Sequence, residues 1–158
     1  MPGLVVDIVS VTNSAQPPRT EIVYSVRNAG AQPAWLVDDG WLVFHQNDGR
    51  IEVSFARAPL QKGVQIFGYF APTVARLDAG ETTDRHFSFT WPMSLDRTWN
   101  ADRIAAPRPG QYQLSVQVGY GTTPRADDPK RGEDVDGGVQ RWQHLSVSAP
   151  ATLIVPPY

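Results

Sequence analysis

The sequence predicts an all-β protein, an antiparallel β-sandwich of about nine short strands with long loops at one end. Apolar and polar residues alternate in several short runs, which is the pattern of strands with one buried and one exposed face. Glycine and proline are frequent, with 13 and 14 residues, and they separate these runs as turn residues do. No long segment shows the 3.6-residue period of an amphipathic helix, so we expect any helix to have only one or two turns.

The 158 residues suit a single domain over positions 1–158, large enough to bury a core without disulfides. Its clearest predicted strand covers Tyr112–Tyr120. There, aromatic and aliphatic residues occupy every second position, and Gln, Ser or Gly occupies the positions between. Because successive side chains of a strand point to opposite faces, this segment has one dry face and one wet face.

The first third of the chain contains five predicted strands, separated by prolines or by clusters of Asn, Asp and Gly. They are Leu4–Thr12, Thr20–Arg27, Ala34–Val37, Trp41–Gln46 and Arg50–Phe55. In the second of them, Ile22, Tyr24 and Val26 are expected to point inward. The last two flank Asn47-Asp48-Gly49, which predicts a β-hairpin because these residues accept positive φ.

Further strands are predicted along the rest of the chain, again from alternation between turn signals. They are Val64–Phe70, Val74–Leu77, Asp84–Trp91 and Tyr112–Tyr120, and then Gln140–Ser148 with Ala151–Val155, either as one interrupted strand or as two. In Asp84–Trp91 the aromatic residues share the inward parity. Two long segments, Pro92–Pro109 and Thr122–Gly138, are predicted loops.

Composition limits the classes of partner and compartment. The net charge is −2, and no basic stripe is present, so we expect no nucleic-acid partner. No apolar run approaches the roughly 18 residues of a membrane span, so none is expected. The chain has no cysteine, which excludes disulfides and thiolate sites. We expect a cytoplasmic protein if the chain is complete, and a periplasmic or secreted one if an export signal was trimmed.

Three segments together resemble the bacterial intracellular proteinase inhibitors of the BsuPI type. They are Leu-Asp-Ala-Gly-Glu at 77–81, Phe-Ser-Phe-Thr-Trp at 87–91 and Pro-Gly-Gln-Tyr at 109–112. Val-Arg-Asn-Ala-Gly at 26–30 is similar to an early turn of the same family and of other bacterial immunoglobulin-like modules. Trp35–Phe44 departs from the Phe-rich strand of that family, and the tail after Tyr120 has no counterpart. The resemblance implies an immunoglobulin-like sandwich and, as one candidate function, proteinase inhibition.

Pro-Gly-x-Tyr at the start of a strand also resembles the tyrosine corner of immunoglobulin-like domains. In that motif the hydroxyl of the tyrosine binds the backbone a few residues upstream. The alternative is that Tyr112 is simply an aromatic residue of the core.

The candidate binding site lies in the loop Pro92–Pro109. Trp99 is predicted to be its apolar anchor, and Arg97 and Arg103 would make charge-assisted contacts. Asp96 and Asp102 complete the predicted site. The alternative is that Trp99 folds back and plugs the end of the sandwich. Trp91 is expected in the core, while Trp41 and Trp142 are expected to be half exposed.

We expect no metal and no cofactor. His45, His86 and His144 fall at polar positions of predicted strands and have no ligand-like spacing, so the simpler interpretation is three surface histidines. The acidic loop Thr122–Gly138 offers oxygen ligands of the kind that calcium prefers. Its residues do not match the EF-hand spacing, and a solvated loop explains them as well.

Catalysis has little support in the sequence. There is no nucleophile elbow, phosphate loop or dinucleotide fingerprint, and no carboxylate pair is set up for acid and base roles. We therefore expect a non-catalytic binding module that recognises a protein partner through its end loops, as a monomer or weak homo-oligomer. The alternatives are a proteinase inhibitor of the BsuPI type and a carbohydrate- or calcium-binding sandwich module.

Overall fold

Two β-sheets pack against one hydrophobic core in the computed structural model, which describes residues 3–58, 72–95, 106–124 and 135–158. The predicted all-β sandwich is confirmed. These residues form eleven strands and one short helix. The strand number exceeds the roughly nine expected for a sandwich of this kind partly because the last strand divides in two and a two-residue strand begins the predicted loop Pro92–Pro109.

The elements follow each other in a simple order along the chain. They are β1 (Leu4–Ala15), β2 (Pro18–Asn28), β3 (Ala34–Val37), β4 (Val43–Asn47), β5 (Arg50–Ser54), β6 (Val74–Leu77), β7 (Thr82–Thr90), β8 (Ser94–Leu95), β9 (Gly110–Gly121), α1 (Val135–Trp142), β10 (His144–Val147) and β11 (Ala151–Val155).

The first sheet has the spatial order β1, β2, β7 and β8, with every neighbouring pair antiparallel. Its inward positions are those that the alternation predicts. Ile22, Tyr24 and Val26 of β2 are buried, as are Phe87 and Phe89 of β7. Each such side chain contributes about 1.5–3 kcal/mol when removed from water, so these two strands supply much of the core.

The second sheet is built around β9. The strands β10 and β11 pair with two successive stretches of β9. The strands β3 and β5 also pair with β9. Beyond them, β6 pairs with β3 and β4 pairs with β5. The prediction of a purely antiparallel sheet is wrong at one place, because β5 runs parallel to β9. Parallel pairing needs a long connection between the strands, and the chain from Ser54 to Gly110 provides it.

The predicted Asn47-Asp48-Gly49 hairpin is confirmed. It joins β4 to β5, with positive φ at Asp48 (43°) and Gly49 (79°). The predicted strand Gln140–Ser148 is wrong in its first part, where Val135–Trp142 forms a helix of eight residues before β10 begins. The predicted strand Val64–Phe70 lies outside the described residues.

The helix owes its place to packing rather than to its own sequence, since two of its eight residues are glycines, which favour helix poorly. Val139 is buried. The Gln140 and Gln143 side chains donate hydrogen bonds to the carbonyl of Arg57, each at 3.1 Å. The Trp142 indole lies against Gly121 of β9, where an added Cβ would come within 1.9 Å of the ring.

Candidate functional site

The residues predicted to bind a partner all lie outside the described part of the chain. Those residues are Asp96, Arg97, Trp99, Asp102 and Arg103. What the structure describes is the base from which the loop Pro92–Pro109 departs and to which it returns. That base therefore carries the structural information about this candidate site.

The outgoing end of the loop is fixed by Trp91, which is buried as predicted. Its indole Nε1 donates a buried hydrogen bond to Thr20 Oγ1 at 2.9 Å, and its backbone N–H donates to the carbonyl of Pro18, also at 2.9 Å. The ring stacks on Phe89 with the centroids 5.5 Å apart. The chain therefore enters the loop from a side chain that is held by β2 and by the core.

The returning end is fixed by two tyrosines. The hydroxyl of Tyr158 donates to the carbonyl of Pro107 at 2.9 Å, and the same ring stacks on Trp91 with an interplanar angle of 10°. The hydroxyl of Tyr112 donates to the carbonyl of Arg108 at 2.8 Å, which is the hydrogen bond that the tyrosine-corner interpretation predicts. Tyr158 thus links the two ends of the loop directly.

A cavity of about 310 Å³ lies along the edge of β7. Four consecutive residues of β7, Arg85–Ser88, line it. Since neighbouring side chains of a strand point to opposite faces, a cavity that touches all four must run along the strand's edge. Among the described residues, this stretch of β7 pairs with β2 only, because β8 pairs with Phe89 and Thr90.

The cavity combines an apolar wall with charged groups. Phe55, Phe87 and Leu36 belong to the apolar wall, which draws on both sheets. At the charged side, Arg85 Nη1 donates to Asp38 Oδ1 at 2.5 Å. Two guanidiniums and one carboxylate line the cavity, so these three side chains together carry a net charge of +1.

Tyr24 is the buried polar residue of this cavity. It is 5% exposed, stacks on Phe55 with centroids 5.3 Å apart, and pairs across the strands with Arg85. Burial raises the pKa of its hydroxyl, while the Arg85 charge lowers it and Asp38 raises it. The hydroxyl is therefore protonated at neutral pH and is a hydrogen-bond donor. It makes no hydrogen bond to a described residue, and since no enclosed side-chain nitrogen or oxygen in the described part lacks a partner, its oxygen is open to the cavity.

The position of Asp38 is set by the residue beside it. Asp39 accepts two hydrogen bonds from Arg57, at 3.0 and 2.9 Å, and a third from the backbone N–H of Thr73 at 2.7 Å. The backbone N–H of Asp38 donates to the carbonyl of Thr73, also at 2.7 Å. The side-chain oxygen of Gln143 in turn accepts a hydrogen bond from the backbone N–H of Arg57 at 2.8 Å. This network fixes the carboxylate side of the cavity.

The three histidines lie on different strands and do not form a site. His45 is opposite Glu52 in the β4–β5 hairpin, His86 is on β7 of the other sheet, and His144 lies against the ring of Tyr120 at 5.4 Å. Within residues 3–58, 72–95, 106–124 and 135–158, no group of three His, Asp or Glu side chains is placed to hold a metal ion. The possible calcium loop Thr122–Gly138 is described only in part: Asp127, Asp128, Glu133 and Asp134 lie outside the described residues, and Asp136 belongs to α1.

Two other tryptophans lie near the surface, in line with the sequence analysis. Trp41 is 48% exposed. Trp142 is half-buried, and its indole Nε1 donates to Thr123, at 2.9 Å to the hydroxyl and 3.2 Å to the carbonyl. Trp142 is thus held against β9 and has a structural contact of its own.

The segments that carry the family resemblance contact each other. Asn28 is 1% exposed, and its Nδ2 donates to the carbonyls of Gln32 at 2.8 Å and Leu77 at 3.0 Å. Its Oδ1 accepts from Gly30 N–H, and its backbone pairs with the turn at Gly80 and Glu81. These residues join two turns at one end of the sandwich, so their role in the fold accounts for them.

Comparison with known proteins adds no assignment: no family model, curated protein or solved structure matches this chain. No helix in the described part of the chain is long and apolar enough to cross a membrane. The loop base and the cavity are therefore the features of the described residues that bear on function.

The cavity is the feature that the sequence analysis missed, although the sequence contains a signal for it. Arg85 shares its parity with Phe87, Phe89 and Trp91, so alternation places a guanidinium on the inward face of β7. A charged residue at an inward position needs a partner or a solvent-filled space. Here it has both, the partner being Asp38 from a different part of the chain.

Proposed function

We propose that this protein is a non-catalytic module with an immunoglobulin-like sandwich, and that it binds a protein partner through the loop Pro92–Pro109. The observation that supports the proposal is the construction of the loop base. Trp91 and Pro107 mark the two ends, and the ring and hydroxyl of Tyr158 connect them. A loop that begins and ends on a rigid scaffold can present side chains with little loss of order on binding.

The composition of the loop supports a protein partner. Tryptophan and arginine are the residues most enriched among those that dominate binding energy at protein interfaces. The loop carries Trp99 between Arg97 and Arg103, with Asp96 and Asp102 adjacent. A partner with an acidic surface around an apolar pocket would complement the arginines and the indole.

The test is affinity capture from a lysate of the source cells, followed by measurement with the purified partner. The variants are Trp99→Ala and the double change Arg97→Ala with Arg103→Ala. Loss of an interface tryptophan is expected to weaken binding at least about thirtyfold, which corresponds to about 2 kcal/mol. Trp41→Ala is the matched control, because it makes the same change at a half-exposed tryptophan outside the sequence of this loop.

The proposal requires the control to retain the partner and the loop variants to lose it while their thermal unfolding stays unchanged. Equal binding by wild type and all loop variants would contradict it. If Trp99→Ala unfolds the protein, the indole belongs to the core, and the arginine double variant then decides whether the loop is a binding surface.

Proteinase inhibition and sugar or calcium binding remain predictions of the sequence. Among the described residues, the segments that resemble the BsuPI-type inhibitors form turns and core, as Asn28 and Trp91 show. Such residues explain a shared sandwich without explaining inhibition, since one fold hosts many functions.

A further inference from the structure

We propose that the cavity along the edge of β7 is a second binding site, and that it takes a carboxylate carried on an apolar or aromatic body. No described residue of the loop Pro92–Pro109 is among those that line the cavity, and this proposal does not depend on the function proposed for the loop. The cavity volume of about 310 Å³ lies at the lower end of the range for small-molecule sites. It suits a ligand of about ten non-hydrogen atoms or one large side chain.

The charge-bearing side of the cavity is rich in donors. Arg85 uses one Nη on Asp38, and Arg19 uses one Nη on Ser88 Oγ at 3.0 Å, so each guanidinium keeps further N–H groups. A guanidinium carries five N–H donors and no acceptor. Carboxylates are the ligands that match such a group best, because they accept two parallel hydrogen bonds.

Tyr24 adds a further donor to the cavity. Its side chain is 5% exposed and lines the cavity, and its hydroxyl makes no hydrogen bond to a described residue. Since no enclosed side-chain nitrogen or oxygen in the described part lacks a partner, this hydroxyl is open to the cavity and accessible to a ligand. Burial raises its pKa, so at neutral pH the hydroxyl keeps its proton and can donate a hydrogen bond. An acceptor in the cavity would satisfy it, and a carboxylate oxygen is the strongest acceptor available.

The remaining wall selects the rest of the ligand. Phe55 and Phe87 lie at a centroid distance of 5.3 Å with an interplanar angle of 60°, and Leu36, Leu42 and Val118 complete the apolar surface. Transfer of a ring or branched aliphatic group from water to this wall is favourable, because its apolar surface is buried against these side chains. A small hydrophilic anion such as acetate would not use this wall.

This chemistry occurs in free aryl acids and in the C-terminal residue of a peptide. A peptide has an additional possibility, because the described strands leave the edge of β7 beside the cavity unpaired, and the backbone groups of such an edge can pair with an added strand. The ligand titrations below distinguish the two sources.

The first experiment is titration of the whole protein by calorimetry or ligand-observed NMR with 3-phenylpropionate. Uncharged 3-phenylpropanamide, cationic 3-phenylpropylamine and acetate are the comparison ligands. We expect 3-phenylpropionate to bind with a dissociation constant of about 1 mM or below, and each comparison ligand to bind at least about tenfold more weakly. Equal binding of the acid and the amide would overturn the proposal, as would no binding of the acid.

Three substitutions locate the site. Tyr24→Phe is expected to weaken 3-phenylpropionate binding about three- to tenfold and Arg85→Met about ten- to a hundredfold, as for a neutral and a charged hydrogen bond. Asp38→Asn is expected to strengthen binding several-fold, because it frees Arg85 and removes a competing carboxylate. A purely structural role of these residues would not produce a gain of affinity.

Matched controls lie outside the cavity. They are Tyr120→Phe, Arg50→Met and Asp48→Asn, which make the same chemical changes at residues that do not line it. Equal effects at control and cavity positions would overturn the proposal. Because Tyr24→Phe removes a hydroxyl without a described partner, it is expected to fold normally, so the test does not depend on Arg85→Met being stable.

The source of the carboxylate is tested with N-acetyl-Ala-Ala-Phe bearing a free C-terminus. Binding at least about tenfold tighter than 3-phenylpropionate assigns the site to peptide C-termini, since only the peptide can pair with β7. If 3-phenylpropionate binds and the peptide binds with similar or weaker affinity, the site is assigned to small free acids. In either case the affinity must fall in Arg85→Met, and a peptide that binds equally well to this variant would contradict the proposed site.

Discussion

Asn28 is predicted to be the polar residue on which this fold depends most. Its side chain makes three hydrogen bonds, to the carbonyls of Gln32 and Leu77 and from the N–H of Gly30, at 2.8, 3.0 and 3.0 Å. It is 1% exposed, so water cannot replace the bond to Leu77 easily. Through it the turn after β2 is joined to the turn before β7.

The magnitude follows from these contacts. At about 1 kcal/mol net per hydrogen bond, Asn28→Ala is expected to lower the free energy of unfolding by about 3 kcal/mol. The Leu77 carbonyl, left buried without a donor, raises this loss to about 3–4 kcal/mol. That is a large share of the roughly 5–15 kcal/mol that stabilises a domain. Asn28→Asp keeps the acceptor for Gly30 but places a carboxylate oxygen against two carbonyls, so it is expected to be at least as damaging at neutral pH.

The assay is equilibrium unfolding in urea, followed by tryptophan fluorescence, with Asn47→Ala as the control. Asn47 is exposed in the β4–β5 hairpin, so its change is expected to shift the free energy of unfolding by about 0.5 kcal/mol or less. Asn28→Asp is expected to regain stability on acidification, because a protonated carboxyl can donate to one carbonyl. Equal losses for Asn28→Ala and Asn47→Ala would refute the reasoning.

Three further predictions follow from other contacts. Gly121→Ala brings a Cβ to 1.9 Å from the Trp142 ring, so the indole must move, with a loss of about 1–3 kcal/mol and a change in tryptophan fluorescence. Tyr112→Phe removes the hydrogen bond to Arg108 and is expected to cost about 0.5–1.5 kcal/mol in urea unfolding. Burial raises the pKa of Tyr24, so the wild type is expected to lose stability as the pH rises above about 10, by at most about 1.4 kcal/mol per pH unit. Tyr24→Phe, measured over the same pH range, is expected to lack this part of the loss, and identical pH profiles would contradict it.

The strands could be predicted because their cause is local. Alternation in β2, β7 and β9 follows from the two-residue period of a strand beside one core, and the buried residues fall on the expected parity. The Asn-Asp-Gly hairpin is equally local, since it needs only residues that accept positive φ. These features depend on neighbours along the chain, which the sequence displays directly.

Helix α1 could not be predicted because its cause is distant. Its sequence contains Gly137 and Gly138, and a helix of two turns is unstable alone. It is held by Val139 in the core and by Gln143, which contacts the backbone of Arg57. The parallel pairing of β5 with β9 has the same kind of cause, since it joins strands that are far apart in the chain.

The cavity shows how a local signal becomes a site only through distant residues. Arg85 on the inward parity of β7 is visible in the sequence, but parity alone allows a buried ion pair, a solvent-filled space or a bent strand end. The structure brings Asp38 and Tyr24 to the same guanidinium. Asp38 neutralises only one of the two arginines that line the cavity, and Tyr24 adds a donor without a described partner. The excess of donors over acceptors, and not the presence of Arg85 itself, is what favours an anionic ligand here. That excess can be counted only when all the lining side chains are known, which is why the sequence pointed to the loop Pro92–Pro109 and not to this edge of β7.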